Sequence, residues 1–328
     1  MSKEIKKVLV IKLGALGDFV LALAAMKKIR EAHPRARITL LTTPPFEALA
    51  RLSPYFNAVE VDGRPSDAGD LFKMLGRIRK AKYDRVYDLQ TNNRTGWYFQ
   101  ALRPFPPQWS GIAKGASLPQ RGRARYHMHT LERHADQLRQ AGIWPDAPTE
   151  PGSAPPPDLS WILRKHKDAR PVAGAVTPKP YVLLVPGGSA HRPEKRWPVE
   201  SYAQLAALLK SKGLDIVIIG GPQESAMARQ IQKAAGQARD LTGRTDFASI
   251  ARLGAKAAMA VGNDTGPLHL AAAGGAPTIV LFSQASKPEL SAPRGRVTTL
   301  QAANLSDLPV AQVAQAANSL ASTPVRTP

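Results

Sequence analysis

The sequence predicts an α/β protein built as two doubly wound halves, and three observations carry that prediction. Residues 7–89 alternate β-branched apolar runs with amphipathic helical patterns, the signature of a parallel sheet with helices on both faces. A proline-crowded segment, residues 145–180, then interrupts the alternation. The alternation starts again at Tyr181 and runs to Phe282.

In the first half, residues 7–13 form an apolar strand that gives way to a turn at Gly14–Gly17. Residues 17–31 carry Val20, Leu23, Ala24 and Lys27 at helical spacing and stop before His33-Pro34. Residues 38–42, 58–61 and 85–89 read as strands, and 46–52 and 71–80 as helices. A short basic helix at 158–167 lies inside the proline-rich linker. In the second half, 181–185, 214–219, 259–261 and 278–282 read as strands. Helices are expected at 201–212, 224–235, 246–253, 268–273 and 310–320, and residues 322–328 read as a disordered tail. The division expected is residues 1–170 and 171–328, two domains of ordinary size with a cleft between them.

Composition narrows the function classes. The 328 residues are 43% hydrophobic and 21% charged, as in folded globular proteins. With no cysteine there is no disulfide, thiolate metal site or cysteine nucleophile. Lys and Arg outnumber Asp and Glu by 45 to 25, a net charge of +20. Such a field attracts nucleic acid, anionic membranes or phosphorylated substrates. Asp18 and the Gly14–Gly17 turn break the N-terminal apolar run, so it does not read as a signal peptide, and no stretch approaches the ~18 apolar residues of a membrane span. The expectation is a cytoplasmic chain peripheral to a membrane.

Three clusters carry chemistry. Lys12-Leu13-Gly14-Ala15-Leu16-Gly17-Asp18 follows the first strand and opens the first helix. Gly14 and Gly17 permit a tight turn, and Asp18 in the first helical turn either caps the helix or is aimed at a ligand. The second cluster runs from Pro186 to Pro198. Gly187 and Gly188 free the backbone, Ser189 can donate to phosphate, and Lys195 and Arg196 supply positive charge. Lys195 alone would read as a solvated lysine. The third is Asn263-Asp264-Thr265-Gly266-Pro267-Leu268-His269, at a strand-to-helix junction of the kind where open α/β sheets bind ligands and helix N-termini hold phosphate. Asp264 or Thr265 could instead be no more than an N-cap. His191 and His269 lack metal-site spacing, and G-x-G-x-x-G, Walker A and G-x-S-x-G motifs are absent.

In this order and at these separations the three clusters resemble the family 9 glycosyltransferases, whose best-known members are the ADP-heptose:lipopolysaccharide heptosyltransferases. The resemblance extends from Val8 to about Leu281 and rests on G-x-x-G-D at Gly14–Asp18, Lys195-x-Trp197-Pro198, and Asp264-Thr265-Gly266 with His269. It implies a GT-B architecture, an N-terminal acceptor domain, a C-terminal nucleotide-sugar domain and inverting transfer without a metal or other cofactor. It implies Asp18 as catalytic base and Lys195 near the donor phosphates. It also implies Asp264 on the donor sugar with Thr265, Gly266 and His269 beside it, Glu224 on the ribose, and Thr242-Gly243 near the base. Gly187 and Ser189 would join the donor loop. The chain departs from some heptosyltransferases in having Gly14 and Ala15 where they carry hydroxyl residues, and its donor loop is one residue longer.

Glycosyl transfer needs a base for the acceptor hydroxyl and positive charge or N–H donors for the departing diphosphate. Within the basic stretch 94–139, Arg94, Arg121, Arg123 and Arg125, with Gly14, are expected to meet an anionic lipid-linked saccharide at the inner-membrane surface. Related transferases using another nucleotide sugar fit the same residues. A nucleic-acid-binding protein would fit the charge alone, but RRM-type aromatic motifs and zinc fingers are absent.

Overall fold

Val8, Leu9, Val10 and Ile11 are all fully buried, which is what a central strand covered by helices on both faces requires. They form β1 (Lys7–Ile11) in a computed structural model that describes residues 4–165, 179–188 and 193–322. The chain divides into two compact units, Met1–Pro157 and Asp158–Pro328. In the first unit follow α1 (Leu16–Ala32), β2 (Arg37–Leu41), α2 (Glu47–Leu52), β3 (Ala58–Glu60), α3 (Ala68–Ala81), β4 (Arg85–Asp88), α4 (Asn93–Ala101), β5 (Gln108–Gly111), β6 (Leu118–Pro119) and α5 (Thr130–Gln140). The strands pair in parallel in the order β3-β2-β1-β4-β5-β6. Ile11 pairs with Leu41 on one side and Asp88 on the other, so the order of the sheet reverses around β1.

The second unit begins with α6 (Ser160–Lys165). It continues with β7 (Tyr181–Val185), α7 (Val199–Ser211), β8 (Asp215–Ile218), α8 (Ser225–Ala235), β9 (Arg239–Asp240), α9 (Phe247–Lys256) and β10 (Met259–Asn263). It ends with α10 (Gly266–Ala273), β11 (Thr278–Ser283), α11 (Pro288–Ser291), β12 (Val297–Ala302) and α12 (Val310–Ser322). Its order, β12-β11-β10-β7-β8-β9, is the same winding, with the reversal between β7 and β10. Both sheets are those of a GT-B type α/β fold. Small residues let α9 and α10 meet: a Cβ on Gly254 would lie 2.4 Å from the Ala271 carbonyl oxygen, and one on Gly274 would lie 2.3 Å from that of Ala251.

The structure differs from the sequence reading in two places, and parts of that reading lie outside the described residues. The division falls between Pro157 and Asp158, ahead of the expected 170/171 boundary, because Trp161 and Ile162 of α6 are buried and α6 packs beside α9. Residues 166–167 of that expected helix, and 171–178 of the linker, lie outside the described residues. The basic stretch 94–139 folds into α4, β5, β6 and α5. The expected tail lies outside the described residues from position 323 onward.

Candidate active site

In the second unit the chain leaves β7 at Pro186 and leaves β10 at Asp264, at the carboxyl ends of the two strands that flank the switch in sheet order. Asn263 ties these two exits together. It is fully buried; its Nδ2 donates to the carbonyls of Pro186 (2.9 Å) and Gly187 (3.1 Å), and its Oδ1 accepts from the Trp197 N–H and the Tyr202 hydroxyl, both at 3.0 Å. Trp197, also buried, donates its indole N–H to the Leu308 carbonyl and packs edge-on to Tyr202. The loop after β7 is thereby stapled at both ends by neutral hydrogen bonds.

Beside this staple stand the charged groups. Lys195 Nζ lies 3.7 Å from Asp264 Oδ2, and His269 Nε2 lies 3.7 Å from Oδ1. The Ser286 hydroxyl donates to Oδ2 at 3.0 Å. Burial pushes the Asp264 carboxyl up, but His269, Ser286 and Lys195 together outweigh it and hold the group below the usual carboxylate range. Thr265 occupies the N-cap position of α10 yet makes no side-chain capping bond, and its hydroxyl is buried without a partner among the described residues. Neither Asp264 nor Thr265 therefore caps the helix with its side chain, and Gly266 opens α10.

The other residues expected at the donor lie at the ends of β7, β8 and β9. A Cβ on Gly187 would come within 2.9 Å of Glu224 Cδ, so a larger residue there would have to displace the Glu224 side chain. The Glu224 carboxylate, buried, accepts the Gly221 N–H at 2.7 Å. Thr242 is held by Asp240 and touches Ser225 through its hydroxyl at 3.0 Å. Gly243, at φ +70°, donates its N–H to the Gly220 carbonyl. Ser189 and His191 lie outside the described residues.

In the first unit Asp18 sits in the first turn of α1, after a turn in which Gly14 takes φ +110° with its Cα against the Phe46 ring. The turn lies over a buried polar layer. Lys12 is buried and donates from Nζ to the Leu89 carbonyl at 3.2 Å, which also meets His134 Nε2 at 3.2 Å. Burial lowers Lys12 to about 8 even though the Asp18 charge opposes the shift. Burial likewise raises Asp88 to about 6; its Oδ1 accepts the N–H groups of Gln90 and Thr91. Burial depresses the His134 imidazole strongly, with Lys12 and Arg133 adding to it. Arg133 and His134 come from α5, which packs on α1 and lies in the basic stretch 94–139.

The acceptor arginines separate into two kinds. Arg94 at the start of α4, Arg121 and Arg123 are exposed. Arg125 is not: it is buried, its Nε donates to Gln120 Oε1 at 3.1 Å, and its guanidinium lies 5.0 Å from the Tyr126 ring centre. Its burial sets Arg125 apart from the exposed arginines with which it is grouped in sequence. Among the described residues no three of His, Asp and Glu gather as a metal set.

A family model described as glycosyltransferase family 9 (heptosyltransferase) matches residues 71–317. The chain belongs to glycosyltransferase family 9. It is similar to lipopolysaccharide heptosyltransferase 2 of Escherichia coli, 24% identical over 310 residues that cover 88% of this chain and 85% of that one. A solved family 9 transferase from Veillonella parvula superposes with a TM-score of 0.79 at 22% identity, covering 98% of both chains. Escherichia coli heptosyltransferase WaaC with ADP-2-deoxy-2-fluoro heptose superposes with a TM-score of 0.73 at 18% identity, covering 95% of this chain and 99% of that one. Membership makes the chain a glycosyltransferase. Lys12, Asn263 and Ser286 are site residues to which sequence reasoning gave no role, although the first two stand inside the motifs it singled out.

Proposed function

We propose that the chain moves a heptose from ADP-heptose to an anionic, lipid-linked saccharide of the lipopolysaccharide core, inverting the anomeric centre and needing no divalent metal. The observation that carries this reading is the cluster of Lys195, Asp264 and His269 beside the loop stapled by Asn263. An ionised carboxylate suits the hydroxyls of a sugar, and a lysine next to a helix N-terminus suits a diphosphate. The second unit takes the donor: Asp264 and His269 on the sugar, with Lys195, Thr265, Gly266, Gly187 and Ser189 toward the diphosphate. Glu224 takes the ribose and Thr242-Gly243 the base. WaaC, with its ADP-linked fluoroheptose, supports an adenine nucleotide as the donor half.

The first unit takes the acceptor. Asp18 accepts the proton of the acceptor hydroxyl as its oxygen attacks the anomeric carbon; the bond to ADP breaks and the diphosphate leaves with its charge met by Lys195 and backbone N–H groups. Gly14, Arg94, Arg121 and Arg123 face the acceptor, and Arg125 supports that segment through Gln120. The setting is the cytoplasmic face of the inner membrane, and no helix among the described residues is long and apolar enough to cross it. The test is transfer of labelled heptose from ADP-heptose to heptose-deficient core acceptor, with and without EDTA. Transfer in both arms is expected. Loss with chelator that Mg²⁺ restores would remove the metal-free reading, and activity only with another nucleotide sugar would remove the donor.

A further inference from the structure

Four aromatic side chains of the first unit stand in solvent: Phe72 on α3 (72% exposed), Trp97 on α4 (74%), Phe105 in the loop after α4 (92%) and Tyr126 ahead of α5 (63%), the last beside the Arg125 guanidinium. Among the described residues of the second unit, the exposed large apolar side chains, Leu163 and Leu208, reach only 36% and 38%. Phe72, Trp97 and Phe105 belong to α3, α4 and the loop that leaves α4. α3 and α4 cover the same side of the sheet, turning Met74, Leu75 and Ile78, and Tyr98, Phe99 and Leu102, into one core cluster. Arg79 on α3 donates to the carbonyls of Ala101 and Arg103 at the end of α4, which fixes the pair side by side. Trp97 borders a shallow groove of about 650 Å³ between the two helices.

The same face is basic. Lys73 pairs with Asp70, and Arg77 with Asp62 and Glu60. Lys80, Lys82, Arg94, Arg103 and Lys114, all exposed, make no ion pair among the described residues. We propose that this α3–α4 face is the surface by which the protein docks on an anionic lipid bilayer. Exposed aromatic side chains beside unpaired lysines and arginines match the two layers of a bilayer interface: rings at the headgroup boundary and cations against lipid phosphate. Phe105 lies in the run Pro104-Phe105-Pro106-Pro107, so the tip is stiffened before it inserts and loses little chain entropy on binding. A protein partner fits less well, since lysine is depleted from interface cores. Single-stranded nucleic acid stacks on successive aromatics that line a charged groove; here only Trp97 borders the groove, and Phe72 and Phe105 do not line it. The inference rests on the proposed lipid-linked acceptor only for its purpose, since vesicle binding is measured without transfer.

The test is sedimentation of the full chain with vesicles of phosphatidylcholine containing about one phosphatidylglycerol in three, against vesicles of phosphatidylcholine alone. The chain should partition onto the anionic vesicles only. The triple variant Phe72→Ser/Trp97→Ser/Phe105→Ser and the reversal Lys80→Glu/Arg103→Glu/Lys114→Glu should each lower partitioning by roughly tenfold or more. Neither should move the thermal midpoint or sugar transfer to a delipidated acceptor. The matched reversal Arg229→Glu/Lys233→Glu/Lys256→Glu on the second unit should change binding by less than about twofold. An equal loss in that control, no binding to anionic vesicles, or binding of single-stranded oligonucleotide through this face instead of vesicles would each overturn the proposal. Transfer without vesicle binding would sink the docking surface and leave the transferase; vesicle binding without any transfer would do the reverse.

Discussion

The turns that follow β10 in the second unit and β1 in the first each leave one of the two central strands that flank the switch in sheet order, yet they rest on opposite chemistry. Beneath the turn after β10 lies a neutral amide, Asn263, with all of its polar atoms bonded to backbone, Trp197 or Tyr202. Beneath the turn after β1 lie Lys12, Asp88, Arg133 and His134, ionisable groups held away from their ordinary pKa values by burial. The two carboxylates show the contrast. Asp264 is surrounded by His269, Ser286 and Lys195 and is held ionised; Asp88 is buried and raised to about 6. The neutral staple fixes the two described ends of the loop after β7. The ionisable layer lies within electrostatic reach of Asp18, whose charge favours the protonated forms of Lys12 and Arg133.

The largest effect that separates the two turns is expected at the staple. Asn263→Ala leaves the Trp197 N–H, the Tyr202 hydroxyl and two loop carbonyls without their partner in a fully buried place. A stability loss of roughly 2–5 kcal/mol by denaturant unfolding is expected. A change within about 0.5 kcal/mol would show that the loop does not depend on the staple.

Lys195→Ala comes next: ADP binding by calorimetry should weaken by about 1.5–3 kcal/mol, the range for a hydrogen bond to a charged group. Unchanged ADP affinity would take Lys195 out of the donor site. On the other unit, Arg121→Glu with Arg123→Glu should lower kcat/KM for the lipid-linked acceptor several-fold at low salt and less at high salt. Exposed charges act over a screening length of ~10 Å at 0.1 M. Donor affinity should stay as it is. Arg125 is left out of this variant, because reversing a buried guanidinium tests packing rather than recognition.

The smallest effect is a pH slope. Asp88, raised to about 6 from 3.8, keeps its proton in the folded chain over a range where the unfolded chain has lost it. Its contribution to stability therefore falls as pH rises from about 4 to about 6. Asp88→Asn can retain the bonds from Gln90 and Thr91 and should flatten the thermal midpoint over that window. An unchanged slope would assign the pH dependence elsewhere.

What the sequence made legible follows from burial. Strands β1, β2, β7 and β11 are covered on both faces, so they read as runs rich in Val, Ile and Leu. α5 carries Leu131, Ala135 and Leu138 at helical spacing, but this short stripe is set among Glu132, His134, Asp136 and Gln137, polar residues that are buried with it and dilute the apolar pattern. β5 is only Gln108-Trp109-Ser110-Gly111, β6 is two residues, and β12 is half exposed along its length. None of these has the periodicity that pattern reading uses. At the site, the G-x-x-G-D turn and the Asp264 motif were legible because glycines and carboxylates at strand ends are local signals. The staple at Asn263 and the layer under Asp18 join residues as far apart as Lys12 and Leu89, or Asn263 and Pro186, and only the folded sheet brings them together.

On the proposed reading the first unit supplies the base and the second holds the donor. Heptose transfer and ADP-heptose affinity measured side by side on Asp18→Asn separate the two roles. A fall in turnover of roughly 10²–10⁴-fold is expected, with donor affinity unchanged within about twofold. Turnover close to that of the unsubstituted chain, or a loss carried entirely by weakened donor binding, would contradict that reading.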